Sequence, residues 1–173
     1  VYTIEEIDTV LPELLTPSDR VYYRLYSNVD FDKTFSKALD VARAKLGRSG
    51  LGLKPIVDPQ EVLGEMRIIK SPKEIEWQKR ACELSADGHI AAMKYTKPGV
   101  NERQVDAVIR HAFMFNGSPR MGYNTIVATG NGATTLHYNF NDQECRDGDL
   151  LLIDAGTEWN YYTGDITRTF PVN

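Results

Sequence analysis

Cysteine is scarce in this chain. It occurs twice in 173 residues, at Cys82 and Cys145. The two lie too far apart for a metal knuckle, and two are too few for a disulfide scaffold. They read as inert thiols of a reducing compartment, and a cytoplasmic location is expected. Basic charge is not in excess: 20 Lys and Arg against 24 Asp and Glu leave a net charge of −4. That gives no electrostatic footprint for nucleic acid or an anionic membrane. No apolar run approaches the roughly 18 residues a membrane-spanning helix needs. The chain begins Val1-Tyr2-Thr3-Ile4-Glu5-Glu6, without a basic flank or an initiator Met. It therefore shows no secretion signal, and its natural start is expected elsewhere. Gly130-Asn131-Gly132 is too short for a phosphate loop and lacks the following Lys and Ser/Thr. Asn116-Gly117-Ser118 is formally a glycosylation acceptor but reads as a turn. No Ser/His/Asp or Cys/His set is suggestively spaced. What is present, 42% hydrophobic and 25% charged residues, is a globular composition. The length suits one domain, or one domain plus part of another.

The first third reads as mixed α/β. Thr3 is placed to cap a helix from residue 4 to about 15, with Pro12 inside it as a weakness. Residues 21–26, Val-Tyr-Tyr-Arg-Leu-Tyr, predict a strand. Phe35, Ala38, Leu39, Ala42 and Leu46 recur at helical spacing before Gly47. Asp58-Pro59-Gln60-Glu61 reads as a helix start. Ser71-Pro72-Lys73-Glu74 is a capping box opening a long helix to about residue 96. One stripe of it holds Trp77, Ala81, Leu84, Gly88, Ala91 and Tyr95, whose small members permit close approach of another element. Asn101 and Gln104 start a second amphipathic helix with Val105, Val108, Ile109, Ala112 and Phe113 inward and Gly117 at its stop. Strand-like segments follow at 123–129, 150–154 and 165–171, separated by turn signals. The expected class is α/β (α+β), divided into an N-terminal piece over 1–67 and a helix-then-strand piece over 68–173.

Asp154 follows the apolar run Leu150-Leu151-Leu152-Ile153, and Asp165 follows Gly164. A buried, unpaired carboxylate costs several kcal/mol or is forced to protonate. Either acid could instead end its strand at solvent, as a turn residue. The ten residues between them contain turn formers and suit a hairpin that sets the two side by side. Carboxylates held together call for a cation such as Mg²⁺, Mn²⁺ or a Zn²⁺ pair. His137, between apolar neighbours, reads on its own as structural, as do His89 and His111 within helices.

Several strings together resemble one family. They are segment 65–75 (Glu-Met-Arg-Ile-Ile-Lys-Ser-Pro-Lys-Glu-Ile), Tyr123-Asn124-Thr125-Ile126-Val127, Leu136-His137-Tyr138, segment 146–156 ending in Asp154-Ala155-Gly156, and segment 164–173 from Gly164-Asp165 to Val172-Asn173. In this order they resemble the Xaa-Pro aminopeptidase (aminopeptidase P) family of pita-bread metallopeptidases, closely from about residue 55 onward. Prolidase, creatinase and methionine aminopeptidase share the general plan. The resemblance implies the end of a creatinase-type N-terminal domain followed by the first half of a pita-bread catalytic domain. It implies that Asp154 and Asp165 are ligands of two divalent metal ions, usually Mn²⁺, with Asp165 bridging. His137 would lie beside the metals and bond the substrate. Thr167 would orient Asp165, unless it is an ordinary strand threonine. The implied reaction removes the N-terminal residue from a peptide with proline second, through a metal-activated bridging hydroxide. The implied partners are that peptide and, at full length, further copies of the chain in a homo-oligomer. The family's remaining ligands, a His and two Glu, fall downstream of the matched segment. The chain thus looks like a fragment and is expected to be inactive alone. The competing expectations are a prolidase-type dipeptidase, a creatinase-like hydrolase and a non-catalytic pita-bread binding module.

Overall fold

In the computed structural model, which describes residues 1–47, 49, 52 and 55–173, Thr3 opens the chain with a capping box to Glu6. It caps a 3-10 turn, Ile4–Glu6, from which α1 (Ile7–Leu15) continues, so the helix expected from residue 4 is divided in two. Pro12 sits inside α1 and is buried. The strand expected over 21–26 is only β1 (Val21–Tyr22), parallel to β2 (Ile56–Val57). Tyr23 N–H still donates to the Val57 carbonyl at 3.0 Å, and beyond it the chain turns away at Asp32. That carboxylate accepts from the Tyr23 hydroxyl at 2.5 Å and from the Tyr26 amide at 3.0 Å, and Tyr26 turns to φ +64°. α2 (Val29–Leu46) starts earlier than the apolar spacing indicates, because the Asn28 side chain caps Phe31 N–H at 3.0 Å. It stops at Gly47, φ +53°. α3 (Gln60–Ile68) begins where Asp58 accepts the Gln60 amide at 2.8 Å. These elements form one unit, Val1–Ile69, in which α1 packs on α2 and Phe35, Ala38, Ala42 and Pro12 are buried.

The second unit, Lys70–Asn173, begins with α4 (Pro72–Tyr95). Ser71 Oγ accepts from Glu74 N, and Glu74 Oε2 accepts from Ser71 N at 2.7 Å, which closes the second capping box. α5 (Glu102–Phe115) opens with the third, between Asn101 and Gln104. The two helices pack together over a sheet of β3 (Ile126–Thr129), β4 (Leu150–Ala155) and β7 (Ile166–Pro171), antiparallel in the order β3-β4-β7. Between β4 and β7 a small hairpin, β5 (Glu158–Trp159) and β6 (Tyr162–Thr163), turns at Asn160 and Tyr161, both at positive φ. The turn at 130–132 is the start of a 3-10 helix, Gly130–Thr134.

Buried Val105, Ile109, Phe113, Val127, Leu151, Ile153 and Ala155 form the core of this unit. The buried row of α4 differs from the expected stripe. Ala81, Leu84, Ser85, Gly88, His89 and Ala92 face inward, whereas Tyr95 is exposed. Gly88 is there for space: a Cβ on it would lie 2.2 Å from the ring of Phe113, which is fully buried. Burying a phenylalanine stabilises by roughly 1.5–3 kcal/mol. A helical glycine costs about 1 kcal/mol, so the close approach wins.

Candidate metal centre

β4 carries Asp154 one residue before its end, and Asp165 lies one residue before β7. In the sheet Asp154 faces Ile126 on one side and Thr167 on the other. Two glycines let the flanking backbones meet. A Cβ on Gly156 would lie 2.6 Å from the Gly164 carbonyl oxygen and 2.8 Å from the Tyr123 ring. One on Gly164 would lie 2.5 Å from the Ala81 carbonyl group of α4. No other residue type fits at either position without moving backbone.

The consequence is that both acids converge on one atom. The Tyr123 hydroxyl lies 2.6 Å from Asp154 Oδ1 and 3.0 Å from Asp165 Oδ1. Burial, then the adjoining Asp154 and Asp165, push the Tyr123 hydroxyl above its ordinary pKa. A phenol has one proton to give, so it cannot satisfy two carboxylates at once. Among the described residues neither acid has a basic partner within ion-pair distance.

α4 supports these segments from beneath through three residues spaced by four. Ala81 lies against Gly164, the Ser85 hydroxyl accepts from Thr157 N at 3.0 Å, and His89 Nε2 meets the Ala155 carbonyl at 3.2 Å. A carbonyl only accepts, so Nε2 carries the proton. Nδ1 is then a buried acceptor with no hydrogen-bond partner among the described residues. Burial pushes the His89 imidazole below its ordinary pKa.

Asp154 and Asp165 are thus brought together. Thr167 is exposed and is the cross-strand neighbour of Asp154 rather than a hydrogen-bond partner of Asp165. His137 is exposed at φ +53°, in the loop after the 3-10 helix, and has no hydrogen bond to either acid among the described residues. The segment expected to be strand from residue 123 becomes β3 only at Ile126, and its first residues form the loop that presents Tyr123. The sequence pattern assigns no role to Tyr123 or Ser85, whereas His89 is structural, as its place within a helix predicts. The step of four from Ala81 is the signal for Ser85, which an apolar stripe does not include.

The profile of metallopeptidase family M24 matches residues 76–173, more than half of the chain and the whole acid-bearing segment. The chain belongs to family M24. Among curated relatives of this M24 chain, a Xaa-Pro aminopeptidase of Haemophilus influenzae is 42% identical over 172 residues, which is 99% of this chain and 37% of the relative. A Xaa-Pro aminopeptidase of Escherichia coli K12 is 41% identical over 97% of this chain and 38% of the relative. A solved structure of zinc-substituted E. coli aminopeptidase P in complex with product superposes with a TM-score of 0.90 at 42% identity, covering 99% of this chain and 39% of that one. The M24 chain therefore spans less than two fifths of the length of these relatives, and its architecture is that of a partial pita-bread domain.

The donor set fits a hard divalent cation: two carboxylates aimed at one point, without a basic partner to neutralise them. Among the described residues no three His, Cys, Asp or Glu side chains cluster, so the pair supplies part of a ligand shell.

Proposed function

We propose that the whole protein to which this chain corresponds removes the N-terminal residue from peptides with proline in second position. The observation that carries this reading is the convergence of Asp154 and Asp165 on the Tyr123 hydroxyl, in a family M24 chain resembling Xaa-Pro aminopeptidases over its whole length. Asp154 and Asp165 would hold two divalent ions, which we take to be Mn²⁺ because oxygen donors suit it. When bound, such ions activate water and polarise the scissile carbonyl. The residues of this chain then have separate tasks. Tyr123 orients both carboxylates, the row Ala81, Ser85 and His89 fixes the backbone that bears them, and His137 bonds the substrate. Exposed Cys82 and buried Cys145 are both free thiols, which supports a reducing, cytoplasmic setting. A purely binding role is disfavoured by the retention of both acids.

The full-length protein with Mn²⁺ should release the first residue of a peptide longer than two residues with proline second, and not of its alanine counterpart. D154N and D165N should each lower kcat/KM about a thousand-fold, on the order of 4 kcal/mol of transition-state stabilisation. Cleavage of dipeptides alone would point to the prolidase reading. No cleavage of either would leave the binding module. The 173-residue chain by itself, with two acids against the four to six ligands each ion takes, should bind Mn²⁺ weakly in calorimetry and turn over no peptide.

A further inference from the structure

We infer that Glu102 is a positioning residue for His137. This rests on the reading above, in which His137 contacts the substrate. Glu102 is the first residue of α5 and is fully buried. A carboxylate there would be costly unless its oxygens were engaged, and both are. Oε1 accepts from the Thr129 amide at 2.7 Å. Oε2 accepts from the Tyr138 hydroxyl at 3.0 Å and from the Gln143 amide at 3.0 Å. The helix N-terminus behind it favours the negative charge. The backbone joins in, because Glu102 N–H donates to the Gln143 carbonyl at 2.9 Å. One side chain thus ties together the end of β3, the residue directly after His137, and the far end of the loop.

Asn141 completes the attachment. Its Oδ1 accepts from Val127 N at 3.0 Å and its Nδ2 donates to the Thr125 carbonyl at 2.9 Å, both buried. The amide occupies the place of a neighbouring strand along the outer edge of β3. β3 pairs on its other side with β4, where Ile126 faces Asp154. The His137 loop is therefore fastened to the strand adjoining the acids, by Glu102 at one end of β3 and Asn141 along it. His137 itself is exposed at positive φ. Its place is set by its attached neighbours rather than by contacts of its own among the described residues.

The test is a double-mutant cycle in the full-length, Mn²⁺-loaded protein: parent, E102Q, H137A and E102Q/H137A. A glutamine keeps one acceptor oxygen but turns an NH₂ towards Thr129 N–H or towards the Tyr138 and Gln143 donors, so at least one bond is lost. Misplacing a catalytic group by about 1 Å costs up to ~100-fold. E102Q should therefore lower kcat about 10- to 100-fold with KM nearly unchanged, and have less than about a two-fold effect when His137 is already alanine. A purely structural role lowers the active fraction equally in both backgrounds, and that result overturns the proposal. So does an E102Q protein with parental kcat. If H137A alone is as active as the parent, the role of His137 in the proposed function fails, and the positioning role falls with it. Should E102Q fold poorly, Y138F, which removes the hydroxyl shared between Glu102 and Asp142 Oδ1 (3.2 Å) and leaves the other two bonds of Glu102, runs through the same cycle. It should show a smaller loss of kcat with the same dependence on His137, and equal losses in both backgrounds overturn the proposal.

Discussion

The Tyr123 hydroxyl stands between two carboxylates with a single proton, and that imbalance has a consequence for stability. Without a cation, Asp154 and Asp165 repel across it. Asp165 is exposed, so solvent screens much of the repulsion. Relieving it is worth about 0.5–1 kcal/mol. D165N should therefore raise the thermal midpoint of the 173-residue chain in chelator, although the same change removes activity from the whole protein. A lowered midpoint would contradict a strained acid pair. Gly164 offers the opposite test. Its missing Cβ is the space taken by the Ala81 backbone, which cannot rotate away as a side chain could. G164A should destabilise by about 1–3 kcal/mol, read in a denaturant titration as a lower midpoint at unchanged slope.

At the scale of elements, helix α4 both starts and supports the site. Its capping residue Glu74 also accepts from the Tyr162 hydroxyl at 2.5 Å, which ties the helix start to strand β6. That hydroxyl first, then Ser71, lower the Glu74 pKa from 4.5 to about 2. A carboxylate whose pKa falls on folding contributes stability above its unfolded value and loses it as pH drops towards the folded one. Between about pH 4.5 and 2 the thermal midpoint should fall, and E74Q should flatten that slope without removing the cap's backbone bonds. The helix starts at Thr3, Ser71 and Asn101 were legible because caps need only local residue types at fixed spacing. So was the apolar face of α5, which has Val105, Ile109 and Phe113 inward. Strand lengths were less legible. A β-former such as Tyr123 stays outside the sheet where distant aspartates take its hydroxyl, and no local pattern reports those aspartates. The acid pair was readable as two strand-end aspartates, but their meeting depends on Gly156, Gly164 and α4 closing in three dimensions. Buried polar Ser85 and Glu102 escaped for the same reason: their partners lie dozens of residues away.

For the molecule as a whole, the core around Val105, Ile109 and Phe113 and a smaller cluster of Ile126, Ala128 and Tyr138 both lie within Lys70–Asn173. That unit produced alone should retain helical circular dichroism and a cooperative melt, whereas a non-cooperative melt would mean that its own core does not suffice. Its sheet also has two unlike borders. On β3 the amides of Val127 and Thr129, and just before it the carbonyl of Thr125, are already taken by Asn141 and Glu102. β7 is the other outer strand and has no strand beyond it among the described residues. A foreign strand seeking backbone partners along β3 meets groups that side chains have already taken. Edge-to-edge pairing of chains is thereby hindered on the border that carries the His137 loop.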